Sequence, residues 1–235
     1  MIILAIDTTA KTAAGAICDG TKTLCSFQVT GGFTHSETML PEIDKLFAKT
    51  GLRPRDIELF AISAGPGSFT GVRIGAALIK GLAFGTGTPC VGVSTLEALC
   101  RNGAEMEGEF IACAVMDARR GQLYSASFLH GKDGLSRLCD DRLIAAEELA
   151  KELDGYGLPV YFFGDGYEIA KKAFPKACDT PKELIAQSAP SVAAAALSKY
   201  VSAEDKTVFT DMALAPTYLR ASQAEREYSE KEKNK

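Results

Sequence analysis

The sequence is short of the groups that hydrolytic and metal chemistry draw on. It holds only two histidines, His35 and His130, far apart in its 235 residues. Two such isolated imidazoles support no Ser/His/Asp or Cys/His set. His35 lies at the start of the helix-like "THSETMLPEI", as a cap or surface polar group, and His130 sits by a turn with no assigned chemistry. Seven cysteines occur, at 18, 25, 90, 100, 113, 139 and 178, an odd number with no Cys-x-x-Cys. Most lie in apolar runs such as "FIACAVMD", so they read as buried, reduced thiols in a reducing compartment. There is no basic excess: 26 Lys+Arg stand against 30 Asp+Glu, a net charge of -4. That balance argues against unaided RNA binding and leaves open an RNA held by a partner. No apolar run is long enough for a membrane span, and "MIILAIDTT" has no basic region of the signal-peptide kind. A cytoplasmic protein without membrane contact is expected.

What is present is ordinary globular composition, 46% hydrophobic and 24% charged, sufficient for one large domain or two small ones. Apolar runs at 2–6, 13–18, 23–29, 58–63 and 89–93 read as strands, with a turn at Asp19-Gly20. Met39, Ile43, Leu46 and Phe47 share one face of a helix that starts near Ser36, carries Pro41 early and ends at Gly51. A second helix fits 69–84, and a short one follows Thr95. Later come strands at 110–116, 122–129, 136–143 and 159–163, and helices at 145–153, 166–174 and 189–202.

The two halves begin alike. "ILAIDTTAKTAAGAI" and "CAVMDARRGQLYSAS" are each an apolar strand, an Asp, a tight turn and a second strand. Such repetition resembles the duplicated actin-like ATPase (ASKHA, ribonuclease H-like) fold, an α/β class with two subdomains. The expected division is 1–105 and 106–221, with a charged tail at 222–235.

The stretch "AGPGSFTGVRIG", 64–75, follows a strand and opens a helix, as a phosphate loop does. No Lys follows Gly71, and Thr70 stands where a dinucleotide fingerprint needs its third glycine. Neither template fits. In the helix that follows, Val72, Ala76, Ile79 and Ala83 line one face, while Ile74, Leu78, Gly81 and Leu82 line the opposite one. A helix apolar nearly all round needs cover on two sides. One cover is its own sheet, and the other is a second helix, another chain or a lid. An internal core helix is the plainer alternative. Gly71 and Gly75 are expected to leave room for another helix, and Ser68 to cap this one.

"ILAIDTT", "AGPGSFTGVRIG", "MDARRGQLY" and "APTYLR…QAE" together resemble the bacterial TsaB family, in order and over nearly the whole chain. The resemblance implies a non-catalytic, scaffold-like part in making threonylcarbamoyladenosine, the modified adenosine beside the tRNA anticodon. Its implied partners are the transferase paralogue TsaD, as a heterodimer, and the ATPase TsaE, with tRNA reached through the complex. Without the partner, the exposed apolar patch of the second helix predicts a homodimer through the same surface. The paralogue carries two metal-binding histidines where Thr95 and Leu99 stand here, so no metal site is implied. The implied interface is a four-helix bundle made with helices 36–50 and 69–84. Its expected residues are Ser36, Met39, Leu40, Ile43 and Phe47 from the first helix. The second supplies Gly71, Val72, Arg73, Gly75, Ala76, Ile79, Lys80 and Ala83. No cofactor of its own is expected, with ATP or ADP at the subunit junction left open. Asp7, Thr8, Thr9, Asp117 and Arg119 are the candidates for touching a nucleotide, against a structural role in their turns. Two other readings stay open: an independent actin-fold ATPase or small-molecule kinase, and a glycoprotease-like metalloprotease.

Overall fold

The computed structural model describes residues 1–31 and 34–220, and the tail assigned to 222–235 lies outside them. β1 (Ile2–Asp7) pairs antiparallel with β2 (Thr12–Asp19), and β2 with β3 (Lys22–Thr30). After α1 (His35–Thr50), β4 (Leu59–Ser63) joins β1 in parallel. After α2 (Phe69–Ala83), β5 (Cys90–Val93) joins β4 in parallel, giving the order β3-β2-β1-β4-β5. Ile3, Leu4, Ala5 and Ile6 are fully buried because helices cover both faces of this sheet. α1 ends at Gly51, left-handed at φ 72, whose N–H donates to the Phe47 carbonyl at 2.9 Å.

α3 (Thr95–Cys100) leads to the second half. There β6 (Phe110–Asp117), β7 (Gln122–Gly131), β8 (Gly134–Arg137) and β9 (Arg142–Ala145) precede α4 (Ala146–Asp154) and β10 (Val160–Phe163). Helices α5 (Tyr167–Ala173), α6 (Lys182–Ile185) and α7 (Ala189–Ser202) follow. The second sheet runs β10-β6-β7-β8, with β9 also on β7. Read in reverse, β8-β7-β6-β10 repeats β3-β2-β1-β4. Gly65 after β4 and Gly164 after β10 even share a conformation, φ 119 and φ 116. This is the duplicated, ribonuclease H-like arrangement of the actin-like fold.

Two expectations need correction. The strand expected at 136–143 is split into β8 and β9, which pair with opposite ends of β7. The helix at 189–202, assigned with the second half, packs on the first sheet instead. Ala189, Val192, Ala193, Ala195 and Ala196 are buried there with Ile3, Ala5 and Val91, and Leu214 joins the core between the first sheet and α1 and α2. The small side chains on this face of α7 allow that close approach. The chain therefore returns to its first half after α6.

Candidate functional site

The loop before α2 is built around the end of β1. Ser68 Oγ accepts from the Gly71 N–H at 3.3 Å and caps the helix, as expected. A Cβ on Gly67 would lie 2.6 Å from the Thr9 carbonyl oxygen, and one on Gly75 2.5 Å from Thr8 Oγ1. One on Gly71 would collide with the Thr8 carbonyl. These glycines make room for this chain's own β1–β2 turn rather than for another helix.

The expected docking face is likewise mostly internal. Val72, Ala76, Ile79 and Ala83, with Gly71 and Gly75, are buried on the sheet side of α2. Met39, Ile43 and Phe47 of α1 are buried in the same core. Helical spacing identifies two apolar stripes on α2 but does not say which one meets the sheet. Of the expected set, Ser36, Leu40 and Arg73 are exposed and Lys80 is half-exposed.

The outward stripe of α2 is narrower than expected: Leu78 and Leu82, half-buried, pack against the edge of the core, which leaves half-buried Ile74 and exposed Ala77 and Gly81. Among the described residues, and apart from its own stretch of helix, no atom lies within 4 Å of where a Gly81 Cβ would be. Phe84, just beyond the helix, is 80% exposed. One flank of α2 is lined by the chain near its described end. Lys80 Nζ donates to the Met212 carbonyl at 3.5 Å, and Arg73 Nε to the Tyr218 hydroxyl at 2.9 Å. The Arg73 guanidinium lies 3.8 Å from the centre of the Phe69 ring, which stacks on Tyr218 at 4.7 Å. Phe69 and Tyr218 belong to this surface although the expected set lacks them; the "APTYLR" motif is the sequence signal for Tyr218.

The nucleotide candidates fall into two groups. Asp7, Thr8 and Thr9 are buried. Asp7 accepts from the Thr9 N–H at 2.8 Å and from the Thr9 and Ser63 hydroxyls at 2.6 Å each. Burial pushes its carboxyl above the usual range, partly offset by the bonds from Ser63 and Thr9. Thr8 Oγ1 donates to the Gly71 carbonyl at 2.8 Å. Asp7 thus takes three bonds from its own turn and from β4, and the start of α2 is fastened to the same turn through Thr8. Asp117 is more open and accepts from the Arg119 N–H at 2.8 Å and from Arg119 Nη1 at 3.3 Å. Its own N–H donates to Asp165 Oδ1 at 3.2 Å. Burial, and then the Asp117 charge, push the Asp165 carboxyl up. Arg119 and Arg120 are both left-handed, φ 69 and φ 58, in the tight turn. Arg220 Nη1 donates to the Ala118 carbonyl beside them at 3.0 Å.

His35 Nε2 lies 2.7 Å from the Ala10 carbonyl oxygen. His130 stacks on Phe110 at 4.3 Å, its ring nitrogens against the Gly108 and Ala104 carbonyls. Thr95 and Leu99 are buried. Among the described residues no group of three or more His, Cys, Asp or Glu side chains is placed to hold a metal.

The chain matches a family model described as TsaD, tRNA N6-adenosine threonylcarbamoyltransferase, over residues 30–228. It is 29% identical over 233 residues to the tRNA threonylcarbamoyladenosine biosynthesis protein TsaB of Bacillus subtilis (strain 168), covering 99% of this chain and 100% of that one. The TsaB protein of Escherichia coli (strain K12) is 34% identical over 135 residues, 57% of this chain and 58% of that one. YeaZ from Pseudomonas aeruginosa shares the fold, with a TM-score of 0.79 at 22% identity, over 93% of this chain and 99% of that one. The chain thus belongs to the family of that threonylcarbamoyltransferase model and, within it, to the TsaB proteins.

Proposed function

We propose that this chain is a non-catalytic scaffold subunit of the machinery that makes threonylcarbamoyladenosine in tRNA. It docks on a TsaD-type transferase through the outward stripe of α2 and the exposed edge of α1. The observation that carries the reading is α2 itself. One apolar stripe fills the core, with Leu78 and Leu82 packed at its edge, and Ile74, Ala77 and Gly81 remain on the other side, half-buried or exposed. An apolar strip of that kind, rimmed by Ser36, Arg73 and Lys80, suits a helix pair from another protein. The names of the TsaB relatives support the pathway.

Thr95 and Leu99, where the paralogue has metal-binding histidines, support a part without metal chemistry. The occupied carboxylate of Asp7 weighs against an independent ATPase or kinase, which needs a phosphate-contacting loop in each half. In this reading the chain works in the cytoplasm with TsaE as a further partner, and tRNA is reached through the complex. Any ATP or ADP sits at the junction with another subunit. Without its partner the chain pairs with a second copy through the same stripe.

Reconstitution tests the assignment. The transferase, TsaE, tRNA and a source of threonylcarbamoyl-adenylate are combined with and without this chain, and modified adenosine is measured by mass spectrometry. Omission is expected to abolish the product, and the chain alone to yield none. Full modification without it, or ATP turnover by the chain alone, would refute the reading.

A further inference from the structure

The break between β8 and β9 has a partner in the other half. The chain leaves the sheet after Arg137 and rejoins it at Arg142, and just before that return Asp141 Oδ2 accepts from Ser94 Oγ at 2.5 Å. The same Ser94 oxygen caps α3, accepting from the Leu96 and Glu97 N–H groups at 3.1 Å each. Arg137 Nη1 donates to Asp141 Oδ1 at 2.7 Å, and Nη2 lies 3.5 Å from Glu97 Oε2. Glu97 is also paired with Arg101 at 3.0 Å. Ser94, Glu97 and Arg101, beside β5, are thereby joined to Arg137 and Asp141 of the second sheet in one continuous network.

The network is sheltered. The Asp141, Glu97 and Arg137 side chains are only 16%, 29% and 31% exposed, and the Arg137 guanidinium lies 4.6 Å from the centre of the Phe128 ring. Beneath it Leu96, Leu99 and Cys100 are buried with Phe110, Ala112 and Phe128 of the second sheet. An apolar contact alone resists separation but tolerates sliding. Charge-assisted, directional bonds at its rim fix the angle. On another side, Asn102 Nδ2 donates to the Leu184 and Ala186 carbonyls at 2.8 Å each.

We infer that the Ser94–Asp141–Arg137–Glu97 network is a latch that locks the two halves at one angle. The closing movement by which two-lobed nucleotide enzymes grip their ligand is not available to this chain. It offers its surface to other molecules as one rigid body, whatever the identity of the partner.

Hydrogen–deuterium exchange on the full chain tests this with Asp141→Asn, which keeps shape and removes the charge, and Arg137→Lys, which keeps charge and loses the two-sided grip. Lys45→Gln, which breaks only the exposed Lys45–Glu42 pair of α1, is the control. Both latch variants are expected to speed exchange across 95–100 and 137–142 by at least about tenfold, with β1 and β4 unchanged. The control is expected to match the wild type throughout. Unchanged exchange in those two segments in both variants would overturn the latch. Equal acceleration in every segment would also overturn it, because the network would then add only to global stability.

Discussion

The Thr8 hydroxyl donates to the Gly71 carbonyl at 2.8 Å, and the Thr8 carbonyl lies where a Cβ on Gly71 would be. The turn after β1 is thus fastened to the first turn of α2 by a hydrogen bond and by the absence of a side chain. Gly71→Ala forces the two apart. It is expected to destabilise the chain by about 1–3 kcal/mol, as overpacking does. Gly81→Ala, on open surface in the same helix, is expected to stabilise it by ~0.5–1 kcal/mol. Denaturant midpoints of the two variants check both signs.

Asp7 makes stability depend on pH. Its carboxyl is held above the usual 3.8, chiefly by burial. The sign follows from linkage. Its contribution is fully present below the unfolded pKa and is lost as pH rises through the raised folded value. Asp7→Asn removes that loss, so the variant is expected to gain on the wild type as pH rises above 3.8 and then to level off. Urea unfolding of both proteins across that range measures the difference. A gain for the wild type with rising pH would refute the assignment.

The Ser68 cap is a local test of the loop. Ser68→Ala leaves the Gly71 N–H without its side-chain acceptor and is expected to cost about 1 kcal/mol. Ser68→Asp keeps an acceptor there and is expected to retain most of the stability. Thermal unfolding separates the two.

Thiol reactivity follows burial. Cys18, Cys90, Cys100 and Cys113 are buried, whereas Cys25, Cys139 and Cys178 are half-buried. Burial pushes the Cys90 and Cys113 thiols up to about 11, which further suppresses the reactive thiolate. Brief alkylation of the native protein, read by mass spectrometry, is expected to label the half-buried three first.

Much of the first half was legible because its signals are local. The run Ile2–Ile6, the Asp19-Gly20 turn and the Gly51 stop each carry their own physics. What sequence could not resolve depends on contacts between distant residues. Val72 and Ile79 have the same spacing along the helix as Ile74 and Gly81, and only the sheet decides which pair is internal. The glycines of α2 answer to Thr8, far back along the chain. The split at 138–141 needs Ser94, and the alanine-rich α7 gave no sign of which sheet it covers. The strand–Asp–hairpin echo revealed the duplication but not that the first aspartate is sealed while Asp117 stays open.

The sorting of the two stripes decides how docking must be tested. Val72→Asp would bury an unpaired charge and unfold the chain, so loss of binding in it would say nothing of an interface. Ala77→Glu, at an exposed position of α2, is expected to leave the fold intact. The most direct measurement is light scattering after size exclusion of this chain mixed with its TsaD-type transferase, wild type against Ala77→Glu. The expected result is a stable complex for the wild type and separate proteins for the variant, with unchanged circular dichroism. An Ala77→Glu chain that binds the transferase as well as the wild type does would contradict α2 as the docking surface.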